Sequence, residues 1–110
     1  MSTGSLTPER IEEIRNLLVE TLKTVYDPEI PVDIYELGLV YNIEVSPGGR
    51  VDIRMTLTSP GCPVAESLPR EVELKVASIE GVSDVHIDLV WEPPWTPDRM
   101  SEAARLELNL

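Results

Sequence analysis

The sequence predicts an α/β (α+β) domain of element order α-β-β-α-β-α, a small three-stranded mixed sheet covered by helices. Two patterns and their punctuation carry this expectation. Apolar residues recur at helical spacing near both Ile14 and Val72, and at every second residue around Ile43, Ile53 and Ile87. Gly and Pro stand at the changeovers, where neither period survives.

Residues 1–6 read as a flexible N-terminal tail, and residues 7–110 as one domain. Thr7-Pro8-Glu9 supplies an N-cap, a proline at the first helical position and an acid in the first turn. Ile11, Ile14, Leu17, Leu18, Leu22 and Val25 then share an arc of roughly 140°, so the first helix covers something apolar. It is expected to run up to Asp27-Pro28, because proline disfavours helical geometry in the residue ahead of it. From Asp27 to Gly38 the chain carries two prolines and four acids without a sustained period, which predicts an ordered loop. Loops this long inside a small domain commonly serve a site.

Leu39, Tyr41, Ile43 and Val45 alternate with other residues, as do Val51, Ile53, Met55 and Leu57, with Pro47-Gly48-Gly49 between the two runs. A β-hairpin follows, its second strand reaching Thr58. Ser59-Pro60-Gly61 ends that strand, and Cys62, placed directly before Pro63, is predicted to cap the next helix. Val64, Ala65, Leu68, Val72, Val76 and Ile79 form its buried stripe, with a kink or restart expected near Leu68 because of Pro69. After Gly81, residues Val85, Ile87, Leu89 and Trp91 define a third strand, parallel to the second across a helical crossover. Thr96-Pro97-Asp98 repeats the capping pattern, so a last helix is expected from Pro97 toward Leu108.

Composition narrows the function. Nine Lys and Arg against 20 Asp and Glu give a formal charge of -11, which repels nucleic acid, nucleotide phosphates and anionic membranes alike. The opening residues lack a basic and apolar leader, and no window of roughly 20 apolar residues exists, so a cytoplasmic protein is expected. A single cysteine cannot form an intrachain disulfide or a closed site of several thiolates. Any metal held here must borrow ligands.

Cys62 nevertheless stands where chemistry is favoured. At a helix start, unpaired N–H groups and the positive end of the helix dipole favour an anionic sulfur. Three readings stay open at this level: a packing residue, a nucleophilic or redox thiol, and a ligand to iron or a cluster. The dipole is worth only about 0.3–1 kcal/mol near a surface, and carboxylates from Asp27, Glu29 or Glu36 would oppose a free thiolate. A bound cation reverses that logic, turning the acids into an advantage. Thr58 is a candidate hydrogen-bond donor toward Cys62, whereas Thr56 reads as an ordinary sheet residue. His86, the only histidine, is expected on the sheet face opposite Val85 and Ile87. Trp91 and Trp95 are expected to pack the sheet and anchor the last helix, with Trp95 a candidate for a partner surface.

Three motifs carry a resemblance. The strings D-P-E-I-P-V-D-I-Y-E-L-G-L-V-Y from Asp27 to Tyr41, M-T-L-T-S-P-G-C-P from Met55 to Pro63, and V-W-E-P-P-W from Val90 to Trp95 resemble the metal-sulfur cluster assembly factor family. The likeness is strongest to its SUF-system members and extends to PaaD-like accessory proteins. It departs at Asp33, where the family pattern usually carries Asn. The resemblance implies an Fe-S cluster assembly domain-like fold and a non-enzymatic role in iron-sulfur maturation. It points to Cys62, Asp27 and Glu29 as the functional centre, to a labile Fe-S cluster or iron as cargo, and to scaffold or carrier proteins of the SUF system and apo-client proteins as partners. Because clusters are usually held by four thiolates, one such chain would share its cluster, for example across a homodimer. A small thiol enzyme using Cys62 and a pure protein-protein adaptor are the alternatives.

Overall fold

In the computed structural model the described residues are 6–27, 30–58 and 67–108. Helix α1 spans Pro8–Leu22, and the Thr7 side chain accepts a hydrogen bond from the Arg10 N–H at 3.1 Å, as the capping pattern predicts. It ends earlier than expected. The Thr24 N–H and hydroxyl both turn back to the Thr21 carbonyl, at 3.0 and 2.6 Å, and this local closure replaces the next helical turn. Val25 is still buried, but from an irregular segment, while Leu17, at the margin of the predicted stripe, is 45% exposed.

The stretch from Asp27 to Gly38 is not all loop. A one-turn helix, α2, occupies Ile34–Leu37, with the Asp33 carboxylate accepting from the Glu36 N–H at 3.0 Å and Gly38 closing the turn in the left-handed region at φ 82°. Asp serves as an N-cap as well as Asn does, so the departure at Asp33 leaves the cap intact. The missed signal is Asp33 followed five residues later by Gly38, too short a spacing for a helical period to register.

Strands β1 (Val40–Val45) and β2 (Arg50–Met55) pair antiparallel, and β3 (Asp84–Leu89) lies parallel to β2, which is central. The register places Ile43 opposite Ile53 and Val45 opposite Val51, but it shifts between Val40 and Asn42, where Tyr41 is the extra residue. This bulge takes Tyr41 out of the expected alternation and leaves Val40, Ile43 and Val45 packed on the core. Two strands are shorter than predicted: β2 stops at Met55 rather than Thr58, and β3 at Leu89 rather than Trp91. Past those ends the chain stays tied to its neighbours, with the Thr56 N–H donating to the Leu39 carbonyl at 2.9 Å and the Val90 N–H to the Met55 carbonyl at 2.8 Å.

Helix α3 is described over Ser67–Ala77, and Pro69 lies near the start of that span. The predicted start at Cys62 and Pro63 lies outside the described residues. The last helix divides in two. A 3-10 turn at Pro97–Arg99 gives way to extended backbone at Met100, and Ser101 then caps α4 (Glu102–Glu107) by accepting from the Ala104 N–H at 3.1 Å. The break lets Met100 enter the core at 7% exposure.

Ile14, Leu18 and Leu22 of α1 and Val72 and Val76 of α3 meet Val51, Ile53 and Met55 of β2 in one apolar cluster. Leu6 packs at its edge and donates its N–H to the Pro47 carbonyl. The other face of the sheet carries Asn42, Glu44, Asp52, Arg54, His86 and Asp88, so His86 is exposed as expected. On that face Arg50 is hydrogen-bonded to Asp52 and lies near Asp84, contacts that raise the guanidinium pKa above its usual value.

Gly38 is the backbone position with least latitude. A Cβ there would lie 2.2 Å from the Arg99 carbonyl oxygen, and the positive φ already disfavours a side chain. Gly38→Ala is expected to cost at least about 2 kcal/mol, more than the left-handed backbone alone. Urea denaturation measures this directly, and a loss below about 0.5 kcal/mol would mean that the approach of Arg99 is not constraining.

Candidate functional site

Of the six residues predicted to form the site, Cys62 and Glu29 lie outside the described residues. The other four are spread over two neighbouring structures. Asp27 is buried at 4% exposure, and its Oδ1 accepts from the Ile30 N–H at 3.1 Å, a turn closure characteristic of aspartate. Its carboxylate therefore helps to shape the segment in which it sits. Glu36, on α2, accepts a short hydrogen bond from the Ser101 hydroxyl and lies 3.7 Å from Lys23 Nζ. Its backbone carbonyl accepts from the Ser101 N–H at 2.8 Å, so Glu36 fastens α4 to α2. Among the described residues no three His, Cys, Asp or Glu side chains are gathered as a metal-holding group.

Thr58 and Trp95 do come together. They line a cleft of about 280 Å³ with Thr56, Leu57, Trp91, Glu92 and Pro94, formed where the chain leaves β2 and where it leaves β3. Trp95 is positioned from below: its indole N–H donates to the Leu37 carbonyl at 2.7 Å, joining the cleft wall to α2. With that N–H engaged, the indole presents its apolar surface. Trp91 is 39% exposed, beyond the end of β3, rather than packed into the sheet.

Thr56 is the residue that sequence reasoning undervalued. It is 0% exposed, and among the described residues its Oγ1 has no hydrogen-bond partner. An unsatisfied buried hydroxyl costs about 1–3 kcal/mol, so its retention in a wall of a cleft needs a reason. Strict alternation puts Thr56 on the polar face with Asp52 and Arg54. Because β2 ends at Met55, alternation no longer governs the next residue, and Thr56 turns inward.

A larger cleft of about 520 Å³ adjoins the bulge, lined by Tyr41, Asn42, Arg54 and Arg99 among others. The Arg99 guanidinium lies 4.8 Å from the centre of the Tyr41 ring, and the Tyr41 hydroxyl donates to the Pro93 carbonyl at 2.8 Å. These contacts brace the Pro93-Pro94-Trp95 segment from the side opposite α2. None of the four described candidates, Asp27, Glu36, Thr58 and Trp95, lines this cleft.

Comparison with known proteins agrees with the architecture. A family model described as iron-sulfur cluster assembly protein matches residues 15–89. The chain is 54% identical over 92 residues to an Fe-S protein maturation auxiliary factor of Porphyromonas gingivalis, covering 84% of this chain and 88% of that protein. It is 42% identical over 86 residues to the Fe-S protein maturation auxiliary factor SufT of Staphylococcus aureus, covering 78% of this chain and 98% of the other. A crystal structure from Bacillus anthracis, described as a domain of unknown function, superposes with a TM-score of 0.86 at 35% identity over 94% of this chain and 99% of that one. The small α+β fold with its three-stranded mixed sheet is thus shared. No helix among the described residues is long and apolar enough to cross a membrane.

The indole bond of Trp95 offers a direct check on how the cleft is held. Trp95→Phe keeps most of the ring but leaves the Leu37 carbonyl unpaired, and is expected to lower stability by about 1–2 kcal/mol. Thermal and urea unfolding of the two proteins would reveal it; equal stability would show that α2 does not depend on this bond.

Proposed function

Because this chain belongs to the iron-sulfur cluster assembly protein family, we propose that it is a maturation factor that helps deliver clusters to client proteins, with Cys62 as the point of contact with the cargo. The observation that carries the reading is the 54% identity to a maturation auxiliary factor across 84% of the chain. A lone cysteine within T-x-x-x-C-P then has a use that a packing residue or an isolated thiol would lack.

The chemistry follows from ligand number. Clusters usually take four thiolates, and this chain brings one, so an iron or cluster here is shared with another thiolate, a carboxylate or a small thiol. A second copy of the chain in a homodimer is one source, and a scaffold or carrier protein is another. Incomplete ligation makes the cargo labile, which suits transfer and would be a defect in a storage site. Acidic side chains nearby favour iron electrostatically, and a net charge of -11 adds to that preference. Asp27 and Glu29 take that role in this reading, with Thr58 as a hydrogen-bond donor to the sulfur. Glu36 and Trp95 serve it indirectly, by holding the C-terminal segment in place. The partners are scaffold or carrier proteins of the SUF type and apo-clients, and the compartment is the cytoplasm.

Anaerobic incubation with ferrous iron and sulfide, followed by visible absorption and Mössbauer spectroscopy, tests this. The wild-type protein is expected to acquire charge-transfer bands and cluster iron that Cys62→Ser reduces at least tenfold. A colourless wild-type protein, or equal loading of the variant, would remove Cys62 from the role of ligand.

A further inference from the structure

We propose that two copies of this chain pair through β3, edge to edge and antiparallel about a twofold axis at Ile87, joining their three-stranded sheets into one. The proposal goes beyond the maturation reading and rests on the sheet alone, so it stands or falls independently of Cys62.

The two edges of the sheet differ. On β1, Arg15 Nη1 donates to the outward Ile43 carbonyl at 3.0 Å and the bulge at Tyr41 bends the strand, two features that discourage further pairing. The β3 edge carries no such bond among the described residues. The Val90 N–H donates to the Met55 carbonyl, so alternation along the strand aims the backbone groups of His86 and Asp88 at β2 and those of Val85, Ile87 and Leu89 outward. The side chains of those same three residues lie on the core face yet are only half-buried, whereas Val51, Ile53 and Met55, their register partners on β2, are fully buried. One more strand along β3 pairs the outward N–H and C=O groups and covers that apolar margin.

Charge selects the occupant and its register. A net charge of -11 on each copy opposes self-association, so a stable pairing has to keep like charges apart. An axis at His86 sets Asp84 opposite the second copy's Asp88 on both sides, and an axis at Asp88 sets that residue opposite itself. An axis at Val85 avoids both conflicts but leaves Ile87 facing Ser83 and Leu89 facing Gly81. At Ile87 both demands are met: Ile87 faces Ile87 and Val85 faces Leu89 on the core side, while His86 faces Asp88 on the other. His86 and Asp88 then occupy the closer kind of antiparallel pair, about 4.5 Å between Cα atoms, where the imidazole N–H can donate to the carboxylate. Val85, Ile87 and Leu89 occupy the other kind and exchange about six backbone hydrogen bonds with the second copy. Within each copy Asp52 lies beside His86 in register, and Arg54 beside Asp88 with its Nε 3.6 Å from the carboxylate. Across the joint the row therefore reads Asp52, His86, Asp88, Arg54, acid next to base throughout, and it repeats in the opposite direction. A second copy thus brings the complement of its own edge.

A contact of this size makes a weak dimer whose population grows with concentration. Sedimentation velocity across a concentration series is expected to show it for the wild-type protein. His86→Asp sets two acids opposite each other at two places in the joint and is expected to raise the dissociation constant at least tenfold, with the circular dichroism unchanged because position 86 is exposed. Exchanging the pair, His86→Asp together with Asp88→His, keeps the composition, restores an imidazole opposite each carboxylate, and is expected to associate within threefold of wild type. In a Cys62→Ser background, Ile87→Cys on the axis should give a disulfide-linked dimer on treatment with diamide, Cα atoms in a pair of this kind being about 5.5 Å apart, whereas Val85→Cys should not. A wild-type protein that stays monomeric throughout the series overturns the proposal. A dimer indifferent to His86→Asp, an exchanged pair that fails to restore association, or cross-linking as efficient at Val85 as at Ile87 overturns it equally.

Discussion

The hydrogen bond from the Trp95 indole to the Leu37 carbonyl joins parts of the chain that are 58 residues apart, and much of the candidate site depends on it. A four-residue helix such as α2 cannot persist on its own hydrogen bonds, because helix nucleation costs more than one turn returns. It is held from every direction instead. The Asp33 carboxylate caps it, its first N–H donates to the Val25 carbonyl, Ser101 binds Glu36 twice, and Trp95 takes the last carbonyl. Gly38 then lets the backbone pass beneath Arg99 at a separation that no other residue allows. The acidic segment is thereby ordered by the C-terminal segment, and neither would have its shape alone.

This interdependence explains how a domain with so small a sheet presents a defined cleft. The Pro93-Pro94-Trp95 segment is clamped between α2, through Trp95, and the β1 bulge, through the Tyr41 hydroxyl and the Arg99 guanidinium stacked on the Tyr41 ring. Charged surface pairs such as Arg50 with Asp52 and Arg54 with Asp88 are exposed and contribute little to that rigidity. Buried contacts and backbone hydrogen bonds do most of it. The cleft that results has Trp91 and Trp95 in its walls and the buried Thr56 hydroxyl behind them.

The element order, the hairpin, the parallel return and the buried stripes of α1 and α3 were legible from residue spacing, because periodicity reports which face is apolar. So was the caps' chemistry at Thr7, and the motif strings around Asp27, Cys62 and Trp95 were enough to suggest the family. Spacing could not locate where alternation stops. Thr56 was assigned to the polar face because the pattern runs on to Leu57, but the ladder ends at Met55 and the following turn is governed by the Leu39 carbonyl and by packing. Nor could it show α2, the bulge at Tyr41 or the break at Met100, since each depends on a partner far along the chain: Trp95, Pro93 and the core. The sequence by itself determined what each segment prefers and which chemistry the chain can bring. Only the tertiary structure decided which polar groups find partners, because hydrogen bonds between distant residues leave no local period to read.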